Sequence, residues 1–373
     1  MISGNFGLLL PISGMCATMH FNFDYATSNV LRPNDNLRIY HDAEEYINAS
    51  HDYKIAVFDN WIDGVGPQVT QDTFDRQQRV KNASNHVIHH AGDFQIAHLN
   101  YILESIKQEK NITFSSSAVI HEPLGLPYVT SVIWFPTTVD LYVKFYKGKL
   151  QQLTPFVPKP YYFDYLPGSV KHHRIIIADY VTNHLSDKVF MSPFFEPGRI
   201  RTPEEIEKFW EEGMEQFDFN SSSTAQYNGF GPLASHIIPI KIYNKTCYSI
   251  VAETTIYNPY SFYTEKLAKP ILASRLFVVF AGQHYLKGLK QRGFKTFDGI
   301  IDESYDEIEN NEARWAAALE QVNWLCNQPQ NEILEKIIPI VTHNYRQMLN
   351  YNWQRPIEYL IEDLFIKSKF NKL

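Results

Sequence analysis

Cysteine is scarce in this chain: three of its 373 residues, at positions 16, 247 and 326. An odd, widely spaced set with no Cys-x-x-Cys excludes a disulfide framework and a thiolate metal centre of ordinary spacing, and it fits a reducing compartment. Long apolar runs are also lacking. No stretch approaches the ~18 apolar residues that a membrane helix needs, so no span and no anchor are expected. The opening MISGNFGLLLPISGMCATMHF is mildly apolar, has no basic leader and is broken by Gly and Pro. It reads as strand and loop rather than signal peptide, and a cytoplasmic protein is expected. In that setting the sequons at Asn111 and Asn244 mean little. Positive charge is in short supply: 34 Lys and Arg against 41 Asp and Glu, a formal net charge of −7. That argues against a broad polyanion binder. A local basic cleft remains open, because many of the acids gather in two runs, 204–215 and 302–312, which read as solvated faces. No Asp-x-Asp stands in a metal-bearing loop, and no internal repeat or low-complexity segment is present.

What the chain does have is aromatic surface, 23 Tyr and 25 Phe. Most of it serves as core, and some is available to stack on rings. The length is too great for one ordinary core and about right for two. Apolar runs of strand length stand at 37–41, 54–61, 86–92, 112–120 and 128–135, and a helical period occupies 94–110. A Pro-rich passage, Pro155, Pro158, Pro160 and then Pro167-Gly168, reads as a linker. A second alternation follows: helix at 174–185, strand at 188–194, and a helix at 202–217 that opens on an N-cap Thr and a Pro. Beyond it come a strand at 248–254, a helix from Thr264, a strand at 275–282, and helical periods at 309–326 and 331–351. The fold class is therefore α/β. Residues 1–160 form a first lobe, 161–345 form a second, and the two face a cleft with ligands at the carboxyl ends of the strands.

The stretch VAETTIYNPYSFYTEKLAKPI is the most suggestive. A strand ends at Glu253, and a loop then leads to a helix capped by Thr264 with Glu265 and Lys266 in its first turn. A helix N-terminus favours phosphate, Lys266 adds a point charge, and Glu253 is placed to accept hydrogen bonds from ribose hydroxyls. Tyr257, Tyr260 and Tyr263 are placed to pack on a ring. The plain alternative is a capped helix with a surface Glu–Lys pair and a tyrosine-filled loop.

Glu253 with Tyr263-Thr264-Glu265-Lys266 resembles the donor-site signature of fucosyltransferase-type glycosyltransferases, an acidic strand end followed by Tyr-x-Thr-Glu-Lys opening a helix. Here the triplet directly follows Tyr263, a small departure. The passage from YTEKLAKP to GFKTFDGIIDESYD, and the block YFDYLPGSVKHHR at 162–174, are similar to blocks in glycosyltransferase-like proteins of tailed bacteriophages. In the fucosyltransferase type an Arg opening the first donor-lobe helix contacts phosphates, and Arg174 occupies the matching place. Lys171, His172, His173 and Arg174 also gather cations at a helix start, where they are disfavoured unless an anion is present. The resemblance covers roughly the second half of the chain. It implies two Rossmann-like lobes facing a cleft, a GT-B-like glycosyltransferase architecture with the donor in the second lobe. A C-terminal helix at 346–373 would pack back on the first. The donor-binding residues would be Arg174, Glu253, Tyr263, Thr264, Glu265 and Lys266. The chemistry implied is metal-independent, with a nucleotide sugar as co-substrate and no resident cofactor.

Inverting transfer needs a base for the acceptor hydroxyl. Carboxylates at first-lobe strand ends are the candidates: Asp93 and Glu122 ahead of Asp59, with His89 and His90 as alternatives. For each, a structural role is the competing explanation. Lys287, Lys290, Arg292 and Lys295 in LKGLKQRGFK read as a solvated helix ended by Gly293, or as contacts to a phosphate backbone if the acceptor is DNA. The phage resemblance implies a hydroxymethylated cytosine in phage DNA as acceptor, in the host cytoplasm. A glycan or small glycoside is the alternative, and a non-catalytic nucleotide- or sugar-binding module is the alternative of another class.

Overall fold

The computed structural model describes short segments as far as residue 148 (37–40, 48–49, 53–59, 86–90, 112–116, 119–121, 128–130 and single positions beyond), then most of 150–194 and 238–370. The first half supplies β1 Leu37–Tyr40, β2 Tyr53–Asp59, β3 His86–His90, β4 Ile112–Ser116, β5 Val119–Ile120 and β6 Tyr128–Thr130. Five of these form one parallel sheet in the order β1-β2-β3-β4-β6. The run 112–120, which reads as a single strand, supplies two: β4 stays in this sheet, and β5 leaves to pair elsewhere.

The second half supplies β7 Tyr161–Tyr165, helix α1 His172–His184, β8 Val189–Met191, the single turn α2 Ile240–Tyr243 and β9 Thr246–Ala252. It continues with β10 Tyr260–Ser261, α3 Glu265–Leu272, β11 Leu276–Phe280, α4 Tyr285–Gln291, α5 Asn311–Leu325, α6 Gln330–Asn350 and α7 Arg355–Phe370. A four-stranded parallel sheet has the order β11-β9-β7-β8. Every residue of β9 and β11 is buried, because a parallel sheet is covered on both faces; β11 is apolar throughout, and β9 is apolar apart from Thr246 and Ser249. Leu267, Ala268 and Ile271 of α3 join the same core as these strands. α5 adds Trp315, Ala318, Leu319 and Val322, spaced so that one helical face is apolar.

The Pro-rich passage also holds a strand that its composition hides: Tyr161–Tyr165 is central, between β8 and β9. Its Asp164 is 3% exposed, which is tolerable only with a partner. Arg275 Nη2 lies 2.7 Å from Asp164 Oδ1, and Ser249 and Thr246 hydroxyls donate to the same oxygen. The remaining Arg275 donors reach the carbonyls of Tyr243, Thr246 and Tyr248, and the guanidinium lies over the Tyr243 ring. Burial pushes the Asp164 carboxyl up, and Arg275 and the hydroxyls pull it back.

The two halves touch through backbone. β5 pairs antiparallel with β10, Tyr260 opposite Ile120 and Ser261 opposite Val119. α7 runs beside β6. No helix among the described residues is long and apolar enough to cross a membrane.

Candidate functional site

The chain runs from β7 to β8 on one side of the second sheet, then returns for β9 on the other side of β7. The order therefore reverses between β7 and β9, and the carboxyl ends of those two strands mark the kind of switch point at which α/β sheets bind ligands. The segment after β7 leads into α1, and that after β9 leads through β10 into α3. The residues singled out from the sequence lie on these two exits.

The start of α1 is fastened to the end of β9 by three successive carbonyls. Arg174 Nη2 donates to Ala252 O at 3.2 Å and to Glu253 O at 3.4 Å. His173 Nε2 donates to Glu253 O at 2.9 Å, and Lys171 Nζ to Thr254 O at 3.0 Å. These bonds join segments some eighty residues apart, at the carboxyl end of β9. Arg174 is 2% exposed and His173 is 1% exposed. Burial, with the Arg174 charge beside it, pushes the His173 imidazole down to about 3. The ring is therefore neutral near pH 7, and its proton sits on Nε2 because a carbonyl only accepts. Trp315 packs against this ring, centroids 5.6 Å apart.

Glu253 is sealed, at 0% exposure. Its Oε1 accepts from Thr264 N at 3.2 Å and from Tyr285 Oη at 2.6 Å. Its Oε2 accepts from Thr264 Oγ1 at 2.6 Å and Thr254 N at 3.4 Å. Burial pushes this carboxyl up, while Lys266 and the hydroxyl donors pull it down. The acceptors of Glu253 are thus occupied within the chain, and its action is to fix Thr264, the N-cap of α3. Thr264 Oγ1 in turn accepts from Lys266 N at 3.3 Å. Tyr263 stacks obliquely on Tyr285 at 4.7 Å and donates to Tyr285 O.

Glu265 and Lys266 form the expected pair, Nζ to Oε1 2.7 Å, but it is part of the protein body rather than a free surface pair. The Lys266 side chain is 24% exposed and that of Glu265 is 10%. Burial works against the Glu265 charge, yet Lys266 and Lys269 outweigh it and hold the carboxyl below the usual range. Lys269, one turn on, is buried and pushed down to about 8. Arg174, Glu253, Tyr263, Thr264, Glu265 and Lys266 therefore belong to one connected cluster, joined through the backbone of 252–254. Asp93 and Glu122 lie outside the described residues, as do the helical periods at 94–110 and 202–217 and the opening glycine loop. Asp59, His89 and His90 fall at the carboxyl ends of β2 and β3.

Tyr285, His173 and Lys269 were not among the donor residues expected from the sequence. Nothing in local spacing points to Tyr285, which lies 32 residues from its carboxylate partner. The buried lysine one turn after Lys266 was visible as helical spacing. The block GFKTFDGIIDESYD has structural work to do. Glu303 accepts from Thr296 Oγ1 and Phe297 N, and Asp306 accepts from Leu286 N and Lys287 N at the start of α4. In the basic stretch, Lys290 pairs with Glu303 and Asp298, and Gly293 takes the positive φ of a helix end. Among the described residues no His, Cys, Asp and Glu cluster suits a metal ion. The chain matches no protein-family model and no curated protein.

Proposed function

We propose that the protein is a nucleotide-sugar-dependent glycosyltransferase of GT-B-like, two-lobed architecture that binds its donor at the reversal between β7 and β9. The observation that carries this reading is the meeting of two helix starts, α1 with Lys171 and Arg174 and α3 with Thr264 and Lys266, on the three residues that end β9. A diphosphate at that junction answers cations that otherwise crowd a positive helix end.

In this reading Lys266 and Lys171, both partly exposed, take the phosphate oxygens directly. Arg174, beneath the backbone, lends charge and holds the end of β9. Glu253 acts as a positioning residue: it orients the N-cap of α3 rather than gripping a ribose. During inverting transfer the acceptor oxygen attacks the anomeric carbon. The bond from that carbon to the diphosphate oxygen breaks with its electron pair, and the charge on the leaving group is stabilised by these cations. The acceptor proton passes to a first-lobe carboxylate. Of Asp93 and Glu122, Glu122 is the better choice, because its chain neighbour His121 is hydrogen-bonded to Ser261, three residues before Thr264. The acceptor we favour is a hydroxymethylated cytosine in phage DNA, and the work would be done in the host cytoplasm.

The test is release of nucleoside diphosphate from a panel of sugar nucleotides, with hydroxymethylcytosine DNA, plain DNA or a glycoside as acceptor. Lys266→Ala is expected to lower the release rate by about 100-fold, the scale of losing one charge-stabilising donor. Wild-type protein that neither binds nor hydrolyses any sugar nucleotide would overturn the reading.

A further inference from the structure

A second basic cluster lies on the Tyr263 side of the first, where the first half meets the second. His121 follows β5, and its Nε2 is 2.8 Å from Ser261 Oγ on β10. Tyr263 Oη donates to the carbonyl of Tyr285.

Basic side chains surround the His121 ring. The His284 ring stands edge-on at 6.0 Å. Lys287 and Arg292 lie within electrostatic reach, and together with burial and His284 they hold His121 at about 4. Arg292 lies over the Tyr263 ring and donates to Gly288 O. Gly288 allows the close approach: a Cβ there would meet Tyr263 Oη and stand 3.2 Å from His121 Cε1. His284 is held at φ 65, a left-handed conformation that a non-glycine residue keeps only when its surroundings demand it. The acids nearby answer His284 alone: Glu307 Oε2 is 3.4 Å from its Nδ1, and the Asp306 carboxylate, which also feels it, is engaged by the first amides of α4. Among the described residues neither Lys287 nor Arg292 has a carboxylate partner.

We infer that His121, His284, Lys287 and Arg292 form a binding site for one phosphate-class anion, presented by the second substrate at the seam between β5 and β10. Such an anion answers the charges of Lys287 and Arg292 and accepts from the ammonium and the guanidinium. The inference deepens the transferase reading by giving the acceptor a phosphate group. That group is either a nucleic-acid phosphodiester or a free phosphate, and the binding itself does not require turnover.

The test uses the full chain and three probes: a thymidine dinucleotide with one phosphodiester, its uncharged methylphosphonate analogue, and inorganic phosphate. The charged dinucleotide is expected to bind about tenfold more tightly than the methylphosphonate, with affinity falling as salt rises. Lys287→Gln and Arg292→Gln should each weaken it three- to tenfold. Lys287 is exposed, so its variant keeps the test valid if Arg292→Gln fails to fold. The His121 NMR resonances should move on binding. Inorganic phosphate competing at the same concentration as the dinucleotide assigns the anion to a free phosphate, and weak competition assigns it to a nucleic acid. Equal binding of the charged and uncharged dinucleotides, or an unchanged Lys287→Gln, overturns the inference. Sugar-nucleotide titrations on the same proteins keep the two readings apart. A wild type that binds the dinucleotide but no sugar nucleotide sinks the donor reading and leaves this one standing.

Discussion

His173 should make the protein acid-labile in a way that one substitution removes. Its imidazole is 1% exposed, donates to Glu253 O, and has its proton affinity pushed down from 6.5 to about 3, chiefly by burial. The unfolded chain takes up a proton as pH falls through about 6.5, while the folded chain resists until about 3. Because the unfolded state binds more protons in that window, stability is complete above it and is lost as pH falls. At pH 5 the difference is about 1.5 pH units, worth about 2 kcal/mol, and it approaches about 5 kcal/mol near pH 3. Two kilocalories are a sizeable part of the ~5–15 kcal/mol that holds a typical domain together. Buried carboxyls pushed up by burial, such as Glu253 and Glu303, act in the opposite direction, so the total pH profile alone decides nothing. The assay is therefore a difference: urea unfolding of wild type and His173→Gln at pH 7.5 and pH 5. Glutamine keeps a donor for the carbonyl and does not titrate. The stability of wild type relative to the variant should fall by about 2 kcal/mol between the two pH values. A flat difference, or an NMR titration of His173 with a midpoint near 6.5, refutes the reasoning.

Arg275→Met should destabilise by about 3–5 kcal/mol, because it strands the Asp164 carboxylate in the centre of the sheet, and Asp164→Asn combined with it should recover much of the loss in the same unfolding assay. Gly288→Ala should cost about 1–3 kcal/mol, since Tyr263 and His121 must both shift to admit the methyl group. The NMR resonances of His121 should move in that variant even where the fold is kept.

The alternation of strands and helices in the second half was legible because period and composition agree there. β11 is a continuous apolar run, β9 is mostly apolar, and α5 repeats its apolar residues at helical spacing. β7 was not legible, since the prolines around it imitate a linker and its Asp164 argues against a central strand until Arg275, 111 residues away, is known to answer it. The division of 112–120 was hidden for the same reason: the partner of β5 is β10, far along the chain. In the candidate site, the N-cap Thr264 and the Glu265–Lys266 pair follow from local rules. The function of Glu253 does not, because its acceptors are taken by Tyr285 and Thr264, and only three-dimensional proximity reveals that. The same applies to Lys171, His173 and Arg174. Their gathering of charge was visible in sequence, but the carbonyls that accept their hydrogen bonds were not.

The small antiparallel pair Val119–Ile120 with Tyr260–Ser261 bears on how the protein could be divided. Each half brings one short strand to a ribbon that neither completes by itself, and Tyr260–Ser261 leads within three residues to Thr264. Cutting the chain near residue 150 and producing the pieces separately would leave two naked edges, and the later piece would lose the neighbour that holds the approach to its own helix start. The approach to that helix start draws on both halves, and mixing the two pieces should restore what either one lacks.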